Sequence, residues 1–162
     1  MKFVLTLLLV SAGVLSAQPA RRAPGFSLPD LDYKQHDLAD YRGKVVVVDI
    51  IQTACPKCIE LTHSLAEAKS KYGDKVQVLT IVTMPDNAAT VSKFISAQNV
   101  KTPVLLDCGQ VIGSYLQLTP KNPSVHFPHA FVIDKTGIIR REITEGDLTP
   151  AALVGAIESA LK

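Results

Sequence analysis

The sequence has no tryptophan, only three cysteines and no strong excess of charge of either sign. Three cysteines are too few for a small fold stapled by disulfides, so a hydrophobic core must supply the stability. The net charge of +2 comes without a basic run or a basic-aromatic patch, which argues against a nucleic-acid partner. The 162 residues show no repeat and no low-complexity tract, and 47% of them are hydrophobic, which indicates one folded domain.

The chain also lacks an apolar run long enough to span a bilayer comfortably, which takes roughly 20 residues. Lys2 precedes an apolar run over residues 3–15, and small residues follow, which is the order of a secretory signal peptide. We therefore predict a signal peptide at residues 1–17, with cleavage at about 16–20; an uncleaved short anchor is the alternative. Export implies a periplasmic or secreted protein in an oxidising compartment, with no membrane span after cleavage.

The rest of the chain alternates between strand and helix patterns. Residues 44–51 form a continuous β-branched run, which is typical of a strand buried on both faces. Other strands are predicted at 26–28, 75–82, 102–107, 129–134 and 138–143. Helices are predicted from Cys55 to Gly73, over 85–99, as a short helix or turn at 109–117, and after Thr149. This order predicts an α/β fold whose central mixed sheet has helices on both faces.

Two of the cysteines, Cys55 and Cys58, form a C-x-x-C pair where the strand at 44–51 passes into the first long helix. The carboxyl end of a strand is the usual place for a site in an open α/β sheet, and Pro56 suits the first helical position. The Cys55 sulfur would face free backbone N–H groups and the positive end of the helix dipole, which favour thiolate over thiol. Cys58 follows one turn later on the same face, so we expect Cys55 to be the nucleophile and Cys58 the resolving thiol.

A structural zinc site and an inert structural disulfide are the alternatives for this pair. Zinc needs about four ligands, but the chain has no second cysteine pair, and its histidines are scattered at positions 36, 63, 126 and 129. A disulfide that closes so small a loop adds little stability. The residues therefore favour a redox-active disulfide, Cys55–Cys58, without a metal or a bound cofactor.

Three segments resemble those of a known family and occur in the expected order. "DIIQTACPKC" is similar to the active-site segment of the thioredoxin superfamily, and "FPHAFVIDKTGII" to the segment around its cis-proline. "APGFSLPDLDYKQHDLADYRGKVVVVD" resembles the N-terminal segment of the redoxin branch, which includes TlpA-like exported thiol-disulfide oxidoreductases and alkyl hydroperoxide reductase/thiol-specific antioxidant proteins. The resemblance covers about residues 23–161 and implies a thioredoxin-like three-layer sandwich as a domain over 23–162.

The resemblance implies substrate binding by Pro128, as the family's cis-proline, and by its neighbours Phe127 and His129. A proline without an N–H and in the cis form would let the flanking backbone pair with an incoming peptide beside Cys55. An ordinary trans turn proline is the alternative. His129 stands where the family more often has Thr; it could lie near Cys55 and favour the thiolate, or be an exposed histidine at a strand edge.

Asp49 lies six residues before Cys55, where thioredoxin has a buried Asp that handles protons for the second thiol. In an apolar strand, desolvation should raise the pKa of Asp49 and let it accept the Cys58 proton near neutral pH. An ionised, hydrogen-bonded Asp at the strand end is the alternative. Ala54 departs from the family, which usually has an aromatic residue before the first cysteine, and this change implies a more open or less rigid site.

These features together imply an exported thiol-disulfide oxidoreductase. It would exchange disulfides through a mixed disulfide at Cys55 that Cys58 resolves. Similarity to TlpA-like proteins implies that it acts as a reductant. Its partners would be proteins with dithiols or disulfides, together with an upstream electron donor.

A peroxiredoxin-like thiol peroxidase, an antioxidant enzyme, is a second hypothesis. That family has Pro-x-x-x-Thr-x-x-Cys, but here Gln52 stands at the Thr position and Thr53 is one residue late. Cys108 could be a distant resolving thiol, although its place after the apolar "PVLLD" rather predicts a buried small residue.

A Sco-like copper carrier is a third hypothesis. Cys55, Cys58 and either His126 or His129 could form a soft site with two sulfurs and one nitrogen, which suits copper. However, the spacing of the two cysteines is one residue shorter than the C-x-x-x-C of that family.

Overall fold

The computed structural model describes residues 21–162, so the predicted signal peptide at 1–17 and its cleavage region at 16–20 lie outside the described residues. The strands in this range are β1 (Arg21–Arg22), β2 (Ser27–Pro29), β3 (Gln35–Asp37), β4 (Val45–Ile51), β5 (Val76–Thr83), β6 (Val104–Asp107), β7 (His129–Ile133) and β8 (Ile138–Thr144). The α-helices are α1 (Pro56–Tyr72), α2 (Ala88–Gln98), α3 (Gln110–Tyr115) and α4 (Pro150–Leu161).

The main sheet is mixed and has the strand order β1-β8-β7-β4-β5-β6, while β2 and β3 pair separately. β4 runs parallel to β5, and β5 runs parallel to β6. β7 is antiparallel to both β4 and β8. Helices α1 and α4 pack on one face of the sheet, and α3 packs on the other. The predicted α/β fold, with a central mixed sheet and helices on both faces, is confirmed.

β4 lies in the interior of the sheet, where its apolar, β-branched side chains are shielded from water. All seven of its residues are buried, and six of them are Val or Ile. The strand pairs in register with β5, from Val45 opposite Val76 to Ile51 opposite Val82. A strand covered on both edges and both faces tolerates a continuous β-branched run. Asp49 is the one polar residue in this strand, and it is buried like its neighbours.

α1 begins and ends at the residues that the sequence predicts. Cys55 has an extended backbone and caps the helix, and Pro56 occupies the first turn, where its missing N–H costs no hydrogen bond. Gly73 ends the helix with a φ of 56°, a conformation that glycine adopts without steric cost. Leu61 and Leu65 pack against the sheet. The helix therefore starts directly beside the carboxyl end of β4.

α2 begins three residues later than predicted. The Asn87 side chain accepts hydrogen bonds from the N–H groups of Ala89 and Thr90, and the Thr90 hydroxyl accepts the Asn87 N–H at 2.9 Å. This reciprocal capping makes Asn87 the helix cap, so the preceding residues stay outside the helix. Val91 and Phe94 pack beside Cys58 on the same side of the sheet as α1.

The N-terminal segment contains structure that the sequence did not predict. β3 pairs with β2 inside a stretch that reads as turns. His36 in β3 is buried, and its two ring nitrogens contact the Tyr41 hydroxyl and an Asp30 carboxylate oxygen, each at 2.8 Å. A three-residue strand is too short to leave a clear hydrophobic period. Within residues 21–162, none of the helices combines the length and the apolar character needed to cross a membrane.

Candidate active site

The two cysteines of the pair lie at the junction between β4 and α1, with different exposure. Cys55 is half-buried, Cys58 is fully buried, and both are free thiols. The Cys58 N–H donates a hydrogen bond to the Cys55 Sγ at 3.2 Å. The positive end of the α1 dipole therefore faces the Cys55 sulfur, as the sequence predicts. The pair presents one accessible sulfur and keeps the other behind it.

The Cys58 thiol resists ionisation in this position. Burial is the largest cause that raises its pKa, followed by a hydrogen bond with the Cys55 sulfur. The nearby charges of Cys55 and Asp49 raise the pKa further, whereas the backbone N–H of Gln52 lowers it. Cys58 therefore needs a proton acceptor before it can act as a thiolate.

Asp49 is a candidate for this acceptor. Its side chain is fully buried in β4, between Thr80 of β5 and Ala130 of β7, and neither carboxyl oxygen has a hydrogen-bond partner among residues 21–162. Desolvation raises the pKa of Asp49 to about 8. The structure thus places Asp49 in the interior, as the family resemblance implies.

Pro128 lies at the same end of the sheet as the cysteines. β7 begins at the next residue, His129, which is paired with Ile50 near the end of β4. The Phe127–Pro128 peptide bond is cis, so the alternative of a trans turn proline is wrong. Pro128 itself is buried. Phe127 is half-buried and packs against the cluster of apolar residues that contains Cys58.

His129 is not an exposed strand-edge residue, because β7 lies between β4 and β8 in the sheet. Its Nε2 contacts Glu142 Oε1 on β8 at 2.5 Å, and its ring stacks on Phe131 with the centroids 4.9 Å apart. The register of β7 against β8 places Glu142 diagonally across from His129, which no local sequence pattern indicates. The two side chains help to line a cavity of about 460 Å³, together with Leu116, Asn122, Ser124, His126, Thr144, Glu145 and Gly146.

A group of hydrogen bonds just before Cys55 is not indicated by any sequence pattern. Thr53 donates from its backbone N–H to Asp86 Oδ2 at 2.8 Å and from its hydroxyl to Asp86 Oδ1 at 2.5 Å. The Thr90 hydroxyl lies 2.9 Å from the same Oδ1. Thr53 and Asp86 are 33 residues apart, so no motif or period links them. Their contact ties the residues that precede Cys55 to the start of α2.

Cys108 is exposed, so the prediction of a buried small residue is wrong. The chain leaves the sheet at Asp107, whose buried carboxylate accepts the N–H groups of Gln110, Val111 and Ile112. The backbone turns at this point to start α3, and Cys108 is left on the solvent side of the turn. An apolar strand therefore does not determine the burial of the residue that follows it.

The site residues do not gather around a metal position. Over residues 21–162, no three side chains of His, Cys, Asp or Glu are arranged to hold a metal ion. His126 is exposed, and His129 is engaged by Glu142. This arrangement does not favour the copper-carrier hypothesis.

The family model described as AhpC/TSA family matches residues 19–142. The chain belongs to the AhpC/TSA family. This membership confirms the redoxin branch that the three sequence segments predict. An AhpC/TSA member with a C-x-x-C at the start of α1 can form a disulfide within one helical turn.

A curated relative of this AhpC/TSA chain is the thiol-disulfide oxidoreductase ResA of Bacillus thuringiensis (strain Al Hakam). It is 30% identical over 142 residues, which cover 87% of this chain and 78% of the relative. The name and the extent of this match confirm the predicted enzyme class, thiol-disulfide oxidoreductase. They do not favour the peroxidase hypothesis.

Solved structures share the fold of the chain. The crystal structure of a putative thiol:disulfide interchange protein DsbE from Chlorobium tepidum matches with a TM-score of 0.75 and 22% identity, over 91% of this chain and 100% of that one. The exposed lipoprotein thioredoxin of Streptococcus pneumoniae strain TIGR4 matches with a TM-score of 0.67 and 24% identity, over 84% and 99%. These matches confirm that the sandwich is thioredoxin-like.

Proposed function

We propose that the protein reduces disulfides in other proteins through Cys55 and Cys58. The observation that carries this proposal is the unequal exposure of two free thiols in one helical turn, with the Cys58 N–H directed at the Cys55 sulfur. An accessible sulfur can attack a partner, and a shielded sulfur beside it can resolve the product. The pair supplies both electrons, so the reaction needs no bound cofactor.

The reaction proceeds in two exchanges. The Cys55 thiolate attacks one sulfur of a partner disulfide, which forms a mixed disulfide and releases the other partner sulfur as a thiolate that takes up a proton. Cys58 then loses its proton and attacks the Cys55 sulfur. The mixed disulfide breaks, the second partner sulfur leaves as a thiolate and is protonated, and Cys55 and Cys58 are left as a disulfide. The partner gains two electrons, and the pair loses two.

Asp49 would accept the Cys58 proton during the second exchange. Its pKa of about 8 lies close to the working pH of most proteins, where a general base is most effective. The negative charge of Asp49 is one of the causes that raise the pKa of the Cys58 thiol, which supports a proton transfer between the two groups. Because neither carboxyl oxygen is hydrogen-bonded in the part of the chain that the structure describes, either oxygen could take the proton.

The partner polypeptide would bind beside Pro128. Proline has no N–H, so the backbone at this position cannot complete a strand ladder by itself and leaves neighbouring carbonyl and N–H groups for an incoming chain. Phe127 and His129 flank this position at the end of the sheet where Cys55 lies. We expect an extended segment of the partner to pair there and to place its disulfide next to the Cys55 sulfur.

The protein would act outside the cytoplasm, as a periplasmic or secreted enzyme. Two observations support this location: the signal-peptide pattern at residues 1–17 and the fold shared with an exposed lipoprotein thioredoxin. An oxidising compartment would return the pair to the disulfide form. The enzyme therefore needs an upstream electron donor, which would reduce Cys55–Cys58 by the reverse of the same exchange.

A protein-disulfide reduction assay tests the proposal. With insulin as substrate and dithiothreitol as electron donor, the wild-type protein should accelerate the precipitation of the reduced chains. Cys55→Ser should lose this activity, while Cys108→Ser, which changes the exposed cysteine outside the pair, should keep it. Full activity in Cys55→Ser would contradict the proposed function.

A further inference from the structure

Residues 52–55 form a tight turn. Two hydrogen bonds from Thr53 to Asp86, together called the tether, connect this turn to a distant part of the chain. The Cys55 N–H donates to the Gln52 carbonyl at 3.1 Å and closes the turn over residues 52–55. Thr53 is the second residue of this turn. Its backbone N–H and its hydroxyl each donate a hydrogen bond to the Asp86 carboxylate. Hydrogen bonds to an ionised acceptor are roughly twice as strong as those between neutral groups. One side chain from elsewhere in the sequence thus holds the middle of the turn.

Asp86 is itself fixed on the other side. Its backbone N–H donates to the Thr83 carbonyl at 3.0 Å, and its Oδ1 lies 2.9 Å from the Thr90 hydroxyl. These contacts place the carboxylate between the end of β5 and the first turn of α2. The tether therefore joins two neighbouring strand-to-helix junctions, and only one of them contains the cysteines.

The turn has no large side chain at position 54 that could hold it in place by packing. Ala54 is exposed and small, so it cannot anchor the turn by packing in the way that a large aromatic side chain would. The turn nevertheless ends at the nucleophile, because Cys55 is its last residue. A shift of the turn would consequently move the Cys55 sulfur.

We propose that Asp86 is a positioning residue, whose hydrogen bonds to Thr53 hold the turn over residues 52–55 so that the Cys55 sulfur meets a partner disulfide in the geometry of attack. This inference rests on the proposed disulfide exchange. Thiol attack requires the incoming sulfur to align with the disulfide bond, and a misplacement of about 1 Å can lower the rate by about 100-fold. Among residues 21–162 Asp86 has no hydrogen bond to either sulfur, and it acts through Thr53.

Four variants of the full chain test the role of the tether. Asp86→Ala removes all of the side-chain hydrogen bonds, and Thr53→Val removes the hydroxyl bond but keeps the N–H bond. Thr53→Ser keeps both bonds and serves as the conservative rescue. Thr149→Val is the matched control, because the same change removes a side-chain hydrogen bond at the start of α4, away from the turn and from Asp86. Reduction of insulin gives kcat and KM, and thermal unfolding by circular dichroism gives the stability of each variant.

The turn should affect catalysis more than binding. In Asp86→Ala, kcat should fall about 10- to 100-fold while KM stays within about twofold, because the partner surface at Pro128 is unchanged. Thr53→Val should show a smaller loss, and Thr53→Ser should restore the wild-type kcat. Thr149→Val, which removes a hydrogen bond outside the turn, should lose stability but keep its kcat. A protein that is merely destabilised would show the last pattern in all of the variants.

The outcomes separate this inference from the proposed function. If the wild-type protein reduces insulin and Asp86→Ala and Thr53→Val keep the wild-type kcat, the positioning role is wrong and the proposed function stands. If the wild-type protein reduces no protein disulfide, both are wrong. Should Asp86→Ala fail to fold, the comparison of Thr53→Val with Thr53→Ser decides, and equal kcat values in these two variants would overturn the inference.

Discussion

Replacement of Asp49 by asparagine should change how the stability of the reduced protein depends on pH. Burial raises the pKa of Asp49 from 3.8 to about 8 in the folded protein. The folded state therefore binds more protons than the unfolded state between these two values, so the free energy of unfolding falls as the pH rises through this window. Above a pH of about 8 the carboxyl is ionised in both states, and the contribution becomes constant.

The expected magnitude follows from the size of this window. Each pH unit within this window lowers the free energy of unfolding by about 1.4 kcal/mol. Between pH 4 and pH 7 this carboxyl should therefore lower the free energy of unfolding of the wild-type protein by about 4 kcal/mol. Asp49→Asn cannot ionise and should not show this loss. A buried asparagine amide without hydrogen-bond partners also destabilises the folded state, but this effect does not vary with pH. The difference in pH slope between the two proteins is thus the observable.

Urea unfolding at a series of pH values from 4 to 8 measures this difference. Far-ultraviolet circular dichroism is a suitable signal because the chain has no tryptophan, and a phosphine reductant keeps the cysteines as thiols. Asp32→Asn, which changes an exposed carboxyl, is the matched control and should follow the wild-type pH dependence. A constant difference between Asp49→Asn and the wild-type protein from pH 5 to pH 8 would refute the argument that Asp49 is buried without a partner.

Three predictions concern the site itself. In the wild-type protein kcat for insulin reduction should rise as the pH approaches about 8, and in Asp49→Asn it should be lower and vary less; identical profiles would rule out proton transfer to Asp49. Iodoacetamide at pH 8 should alkylate Cys55 and spare Cys58, which peptide mass spectrometry measures; equal labelling would contradict the shielding. Pro128→Ala should lower kcat/KM about 10-fold for insulin but leave a small aromatic disulfide unaffected. Equal losses for both substrates would exclude a peptide-binding role.

The elements that place the cysteines could be predicted from the sequence because each has a local cause. The β-branched run of β4 requires burial, and the proline after Cys55 suits the first turn of a helix. Burial of Asp49 follows from its position inside that run. The family resemblance added Pro128, which no local pattern connects with the cysteines.

The contacts that complete the site could not be predicted, since they join distant parts of the chain. The tether between Thr53 and Asp86 depends on the side-by-side arrangement of two strand-to-helix junctions. The contact of His129 with Glu142 depends on the register of β7 against β8. Periodicity gives the face of a strand but not the neighbour that another strand brings to it. The exposure of Cys108 is a result of the same kind, since it depends on where the chain turns after β6.

The reduction potential of the Cys55–Cys58 pair decides whether the two thiols form a redox couple. Equilibration with glutathione buffers, followed by rapid alkylation and mass spectrometry, gives the fraction of disulfide at each potential. We expect one reversible two-electron transition, between about −270 mV and −120 mV, that is lost in Cys58→Ser and kept in Cys108→Ser. If the wild-type protein shows no reversible dithiol transition in these buffers, Cys55 and Cys58 are not a redox pair.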